Sequence, residues 1–170
     1  MKSLITNKYN LKEEDITEVV KRVKVLLINS KDEILLAHSS QNYQFPGGHV
    51  EPEESLIQTV NREIREETGI VLKVDETIQP FACALGYYKD HPEKGENRKT
   101  EIYYYEIRTD ELPNLSNTEY TEDEIEGGFE LSYIPLSEVE KILKENAELH
   151  GDKRSIAREM LELFDIYKSK

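Results

Sequence analysis

Apolar residues recur along this chain with two different periods, and the switches between them lay out the elements. Val19 to Asn29 (VVKRVKVLLIN) is rich in β-branched residues and predicts a strand. Ser30-Lys31-Asp32 has the chemistry of a turn, and Glu33 to His38 (EILLAH) predicts a second strand, so the pair reads as a hairpin. Tyr43 to Phe45 is a short extended piece that stops at Pro46-Gly47-Gly48. The period then becomes helical. Leu56, Ile57, Val60 and Ile64 fall on one helical face that should pack on a sheet. Pro52 suits the first helical turn, acidic residues crowd that end, and Gly69 is a natural stop.

Strand patterns return at Ile70 to Val74, Ile78 to Lys89, Thr100 to Thr109 and Phe129 to Ile134. The polar run DHPEKGENRK lies at an expected hairpin tip, and residues 110–127 form a long acidic connection. Pro135-Leu136-Ser137 predicts a helix start, with Ser137 and Glu140 as a capping box and Val139, Ile142, Leu143 and Ala147 as its apolar side. Gly151-Asp152 should break it. A last helix over 152–168 carries Ala157, Met160, Leu161 and Phe164 at helical spacing. Residues 1–17 are polar and weakly patterned, and predict a loosely packed arm. Strands, helix, strands, helices: the expected class is α+β with a mixed sheet, in one domain over 1–170.

Composition narrows the function. The chain is 37% hydrophobic and 34% charged, with a formal net charge of -13. Such a surface repels phosphate backbones, so no nucleic-acid polymer is expected as a partner. A small phosphorylated ligand is compatible, because bound cations invert the charge locally. No apolar run is long enough for a transmembrane helix, and the first residues lack a secretory apolar core. A single cysteine, Cys83, provides no internal disulfide and fits a reducing cytoplasm, the expected location.

The acidic residues are concentrated between Gly48 and Ile70: Glu51, Glu53, Glu54, Glu63, Glu66 and Glu67. Glu63, Glu66 and Glu67 stand at i, i+3 and i+4, so a helix puts them together at the rim of its apolar stripe. Like charges so placed repel one another unless something positive sits there. A hard divalent cation with oxygen ligands answers that need.

The same stretch resembles the Nudix box, G-x5-E-x7-R-E-U-x-E-E-x-G-U with U a bulky aliphatic residue. Gly48, Glu54, Arg62, Glu63, Ile64, Glu66, Glu67, Gly69 and Ile70 match it at every specified position. The flanks are similar to the family over about residues 20–145. The resemblance implies a Nudix fold, a mixed sheet between helices, and metal-dependent hydrolysis of a nucleoside diphosphate linked to another moiety X. It implies Mg2+ or Mn2+ held by Glu66, Glu67 and Glu63, with a main-chain carbonyl near Gly47 or Gly48 as a further ligand. Glu63 is alternatively the residue that activates water. Arg62 and Glu54 resemble the family's structural ion pair.

The general base is expected from a box glutamate or from the acidic connection, which offers Glu119, Glu122, Glu124 and Glu126; Glu122 and Glu124 are the preferred pair. Tyr87 and Tyr88 lie at a spacing after the box that resembles dinucleoside-polyphosphate hydrolases, whereas Leu85 stands where ADP-ribose hydrolases carry proline. Tyr43, Phe45, Arg22 and Tyr87 are the substrate-contact candidates, with Lys24 and Arg98 as further cations and Phe81 and Tyr103 as further stacking surfaces. Two other classes stand beside the hydrolase. One is a non-catalytic Nudix-fold module that senses a nucleotide, which usually goes with a degraded box. The other is an isomerase of isopentenyl diphosphate, for which Cys83 is the one available thiol. The apolar final helix could serve a homodimer.

Overall fold

A computed structural model describes residues 1–149 and 156–170. The strands are β1 (Lys2–Thr6), β2 (Glu18–Ile28), β3 (Glu33–Ser39), β4 (Asn42–Gln44), β5 (Ala82–Tyr88), β6 (Arg98–Arg108) and β7 (Glu130–Pro135). The helices are α1 (Leu56–Thr68), α2 (Glu122–Glu126), α3 (Leu136–Leu149) and α4 (Ile156–Lys168). All strands join one mixed sheet in the order β1-β5-β6-β2-β3-β4, with β7 on the other edge of β3. The expected α+β class with a mixed sheet between helices is what is found.

β2 organises the sheet. It runs parallel to β6 over its whole length, from Glu18 opposite Arg98 to Ile28 opposite Arg108. Its side chains alternate between two cores, as the strand period requires. Val23, Val25 and Leu27 face α1, where they meet Ile57, Val60 and Ile64. Leu26 and Ile28 face α3 and α4, where they meet Val139, Leu143, Met160 and Leu163. Both cores are effectively dry, because the central residues of β2 and the facing helix residues are almost fully removed from water. Arg22 and Lys24 share the parity of Leu26, so they leave the sheet on the α4 side.

The β2–β3 hairpin is shorter than its sequence suggests. The two strands pair only at Leu27–Leu35 and Ile28–Ile34. Beyond that point β3 pairs with β4, and the vacated edge of β2 is taken by residues 46–50. Val25 N–H donates to Pro46 O, Val23 N–H to Gly48 O, and Val50 N–H to Lys21 O. The two glycines are therefore stitched to the central strand.

Several local expectations give way to tertiary structure. α1 does not start at Pro52. Ser55 caps it: its hydroxyl accepts from Gln58 N–H at 3.1 Å, and the Gln58 side chain accepts from Ser55 N–H at 2.7 Å. The acids at 51–54 thus lie in the preceding turn, outside the helix. Ile70 to Val74 forms no strand; Ile70, Leu72 and Val74 still point into the α1 core, and Val74 N–H donates to Asn61 Oδ1 at 3.0 Å. Their apolar alternation is satisfied by packing on α1 rather than by pairing. α3 begins at Leu136, directly after β7, so Ser137 lies inside its first turn and not at a cap. The Leu136 N–H is instead taken by Asp32 O in the β2–β3 turn. Residues 1–17 are not a loose arm throughout: β1 pairs in parallel with β5 and closes that edge of the sheet. The apolar stripe of α4 (Ala157, Met160, Leu163, Phe164) is used in the chain's own core. The expected break at Gly151-Asp152 and the start of the last helix at 152 fall outside the described residues.

Candidate active site

The rim of α1, the 46–50 segment and the acidic connection enclose a cleft of about 440 Å³. Its floor is set by the two glycines. Gly48 has Glu63 directly above it: a Cβ on Gly48 would lie 2.5 Å from the Glu63 carboxylate. Only glycine lets the loop come so near the helix. Gly47 N–H donates to Glu67 Oε2 at 2.9 Å, and the Gly47 carbonyl accepts from the Lys24 ammonium. The Gly48 carbonyl accepts from Val23 N–H.

Glu67 is 5% exposed. Burial pushes its carboxyl up to about 7, against the pull of Lys24 and of the Gly47 N–H. Burial also pushes Glu63 up, with Arg62 acting the other way. Lys24 is pushed down by burial, while Glu67 and Glu63 favour its charged form. Two acids and one ammonium thus share a poorly solvated corner in which the ammonium and the acids favour one another's charged forms while the two acids repel each other.

Arg62 ties the acids together. Its Nε donates to Glu54 Oε1 at 2.7 Å and its Nη2 to Glu54 Oε2 at 2.9 Å, a bidentate grip. Nη2 also reaches His49 O at 2.8 Å, while Nη1 reaches Glu63 Oε1 at 2.8 Å and Glu66 Oε2 at 3.0 Å. The Arg62 hydrogen bonds hold Glu54 down at about 2. The pair is half-buried rather than a loose surface contact. In this arrangement Glu63 and Glu66 are turned onto arginine, and no three acidic side chains among the described residues converge at metal-binding distance.

The acidic connection is anchored to the end of α1. Gly69 sits at φ +70° and caps the helix, and Glu119 N–H donates to Glu66 O at 2.8 Å. Arg65 bridges Glu119 Oε1 at 2.6 Å and Glu66 Oε1 at 3.2 Å. α2 then brings Glu124 and Asp123 to the cleft wall. Thr121 caps α2, and its N–H and hydroxyl donate to Glu124 Oε2. Glu122 is exposed and does not line the cleft.

The substrate-contact candidates separate. Arg22 lines the cleft, with its Nε donating to His49 Nε2 at 3.0 Å. Phe45 is buried and meets Tyr104 edge-on at 6.3 Å. Tyr43 packs on His38 and lines neither the cleft nor its neighbouring cavity. Tyr87 points away: its hydroxyl donates to Glu13 at 2.6 Å. Tyr88, next along the strand and therefore on the opposite face, is the one that lines a cavity. Cys83 is buried and absent from the cleft lining, which removes the geometry an isomerase would need. Residue reading overlooked Glu159 on α4 and Gln44 on β4, both at cavities here; an isolated glutamate on an amphipathic helix carries no spacing signal.

The profile of the NUDIX domain matches residues 19–159. The chain belongs to the Nudix family. The enzyme class that goes with this membership is a pyrophosphohydrolase. Human diphosphoinositol polyphosphate phosphohydrolase 3-beta is 28% identical over 137 residues, covering 78% of this Nudix chain and 74% of its own. The NAD-capped RNA hydrolase NudC of Stutzerimonas stutzeri is 34% identical over 77 residues, covering 39% of this chain and only 28% of its own length. Among solved structures, the MutT protein of Methanosarcina mazei Go1 superposes with a TM-score of 0.55 at 22% identity, over 90% of this chain and 97% of its own. The C. elegans Ap4A hydrolase binary complex superposes at 0.51 and 20% identity, over 88% and 96%. These two likenesses speak for the Nudix fold. No helix among the described residues is long and apolar enough to cross a membrane.

Proposed function

We propose that this chain is a metal-dependent hydrolase that breaks the pyrophosphate linkage of a nucleoside diphosphate joined to another moiety. The observation that carries the reading is the composition of one cleft, where Glu63, Glu66 and Glu67 face Arg22 and Lys24 across the Gly47-Gly48 loop. Cations on one wall suit phosphate oxygens, and carboxylates on the other suit a hard ion.

The donors are carboxylate and carbonyl oxygens, the chemistry that Mg2+ or Mn2+ takes, and Glu63 and Glu66 would turn from Arg62 to reach the ion. Glu67 is nearly dry and pushed up to about 7, so its ionised form calls for a positive neighbour beyond Lys24. Glu63, Glu66, Glu67 and the Gly48 carbonyl would hold the ion. When bound, such an ion neutralises pyrophosphate charge and acidifies a water molecule. The protein's own residues do the rest. Arg22 and Lys24 attract and orient the phosphates. Arg62 fixes the angle of the loop against α1 through Glu54 and His49 O. Glu124, which lines the facing wall, is the residue we assign to take a proton from the attacking water, with Glu63 as the competing candidate.

The test is a panel of nucleoside polyphosphates, dinucleoside polyphosphates, nucleotide sugars and ADP-ribose, assayed with Mg2+ or Mn2+ and after chelation. Turnover that requires the cation and is lost in both Glu66→Gln and Glu67→Gln supports the reading. An inert wild type across the panel, or turnover that survives both changes, sinks it.

A further inference from the structure

A second cavity, about 370 Å³, opens on the α4 side of the sheet. It meets the acidic cleft at Arg22, Lys24 and Gln44, which line both. A ligand with phosphates at those cations can therefore extend into this second cavity. Its walls are apolar and aromatic: Phe45 and Tyr104 edge-on to one another, with Ile102 and Met160 beside them. One carboxylate stands among them, Glu159 on the first turn of α4.

Glu159 is half-buried, and the hydroxyl of Tyr104, itself 2% exposed, donates to its Oε1. Burial pushes the carboxyl up, while the Tyr104 hydroxyl, Lys24 and Arg22 favour its ionised form and Glu162 opposes it. The tyrosine fixes one oxygen and leaves acceptor capacity on both. An acidic side chain kept in an apolar pocket, where the neighbouring Lys24 already faces Glu67 and Glu63, is costly unless a ligand uses it. A carboxylate accepts; the complementary ligand edge carries N–H donors side by side.

We propose that this cavity receives the base of the nucleotide, and that Glu159 selects a base presenting two adjacent N–H donors, the guanine edge. The inference rests on the nucleotide reading above and names the part of the substrate that reading leaves open. Guanine offers N1–H and N2–H to the two carboxylate oxygens. Hypoxanthine offers N1–H alone. Adenine turns a ring nitrogen lone pair toward the carboxylate beside one amino donor, which sets like charges against each other. The aromatic walls hold the ring, and Arg22 and Lys24 hold the phosphates.

Binding tests this without turnover. The chain has two methionines, Met1, which is exposed, and Met160, in the cavity wall. In protein labelled with 13C at the methionine methyl groups, GDP should shift the Met160 signal and leave Met1 in place, while inorganic pyrophosphate moves neither. Calorimetry at pH 8 without metal should show GDP bound roughly 10- to 100-fold more tightly than ADP, with IDP between them. Glu159→Gln should bring the three together, with thermal melting to verify its fold. The inference is overturned if no nucleotide moves Met160, if wild type binds GDP and ADP equally, or if the preference survives in Glu159→Gln. The Met160 measurement uses wild type and does not depend on the variant folding. A Met160 response in a protein with no turnover retains this inference and removes the hydrolase. Turnover of nucleotides with an unmoved Met160 does the reverse.

Discussion

Arg62 holds Glu54 by two parallel hydrogen bonds, 2.7 and 2.9 Å long, across the turn that leads into α1. The same guanidinium reaches His49 O, Glu63 and Glu66. One side chain thus joins the loop, the turn and the acidic rim. Lysine cannot reproduce this, because its single ammonium lacks the planar fork. Arg62→Lys should lower unfolding free energy by about 1–3 kcal/mol in urea denaturation. It should also lower turnover by more than the stability loss explains.

The pair predicts an acid limb. Glu54 lies at about 2 in the fold against an ordinary 4.5. A depressed carboxyl stabilises the fold above its unfolded value, and that contribution is lost as pH falls from 4.5 toward 2. Partial exposure reduces the effect to about 1–2 kcal/mol. Wild type should exceed Glu54→Gln in stability at pH 7, and the gap should close between pH 4.5 and 2.5. A gap that stays constant with pH would contradict the assignment.

Two glycines separate folding from function. At Gly69, φ is +70° and a Cβ would lie 1.9 Å from Asn114 O, a backbone atom that cannot step aside. Gly69→Ala should cost at least about 2 kcal/mol. At Gly48 the obstacle is the mobile end of Glu63. Gly48→Ala should change stability by less than about 1 kcal/mol yet cut turnover roughly 100-fold by displacing that carboxylate. Parallel melting and rate measurements decide between these outcomes.

The acidic connection gives a paired test. Glu124 lines the cleft and Glu122 does not. If Glu124 is the base, Glu124→Gln should lose on the order of 100-fold or more in kcat, while Glu122→Gln stays near wild type. Equal effects of both changes would instead indicate a general electrostatic role.

Tyr87 should prove dispensable. Its hydroxyl is bound to Glu13 on the outer side of β5. Tyr87→Phe should alter stability by about 0.5 kcal/mol at most and leave the substrate profile unchanged in the same panel.

Much of the site is local, and so could be read along the chain. Glu63, Glu66 and Glu67 lie within one helical turn, and helix geometry alone brings them to one rim. Ile57, Val60 and Ile64 declare the buried side of that helix, and the structure buries them. The strands β2, β3, β5, β6 and β7 likewise follow their alternation to within a few residues of the expected limits. What misled were cues with two solutions. Pro52 and Ser55 both offer a helix start, and only Ser55 has Gln58 in reach to complete the box. The 70–74 run has strand-like alternation, but no neighbouring strand edge receives it.

The acidic rim, the glycines that let the loop approach it, and the family are all written in short-range spacing along the chain. Tertiary structure alone decided which distant residues face that rim. Lys24 on β2 and Glu124 on α2, which face the rim, and Glu159 on α4, which lines the adjoining cavity, are far apart in the chain and carry no shared period. They meet because β2 alternates between two cores, sending Arg22 and Lys24 toward α4 while the Gly47-Gly48 loop folds back along the same strand. Contacts of that kind depend on which strand pairs with which, and strand pairing is settled by the whole sheet.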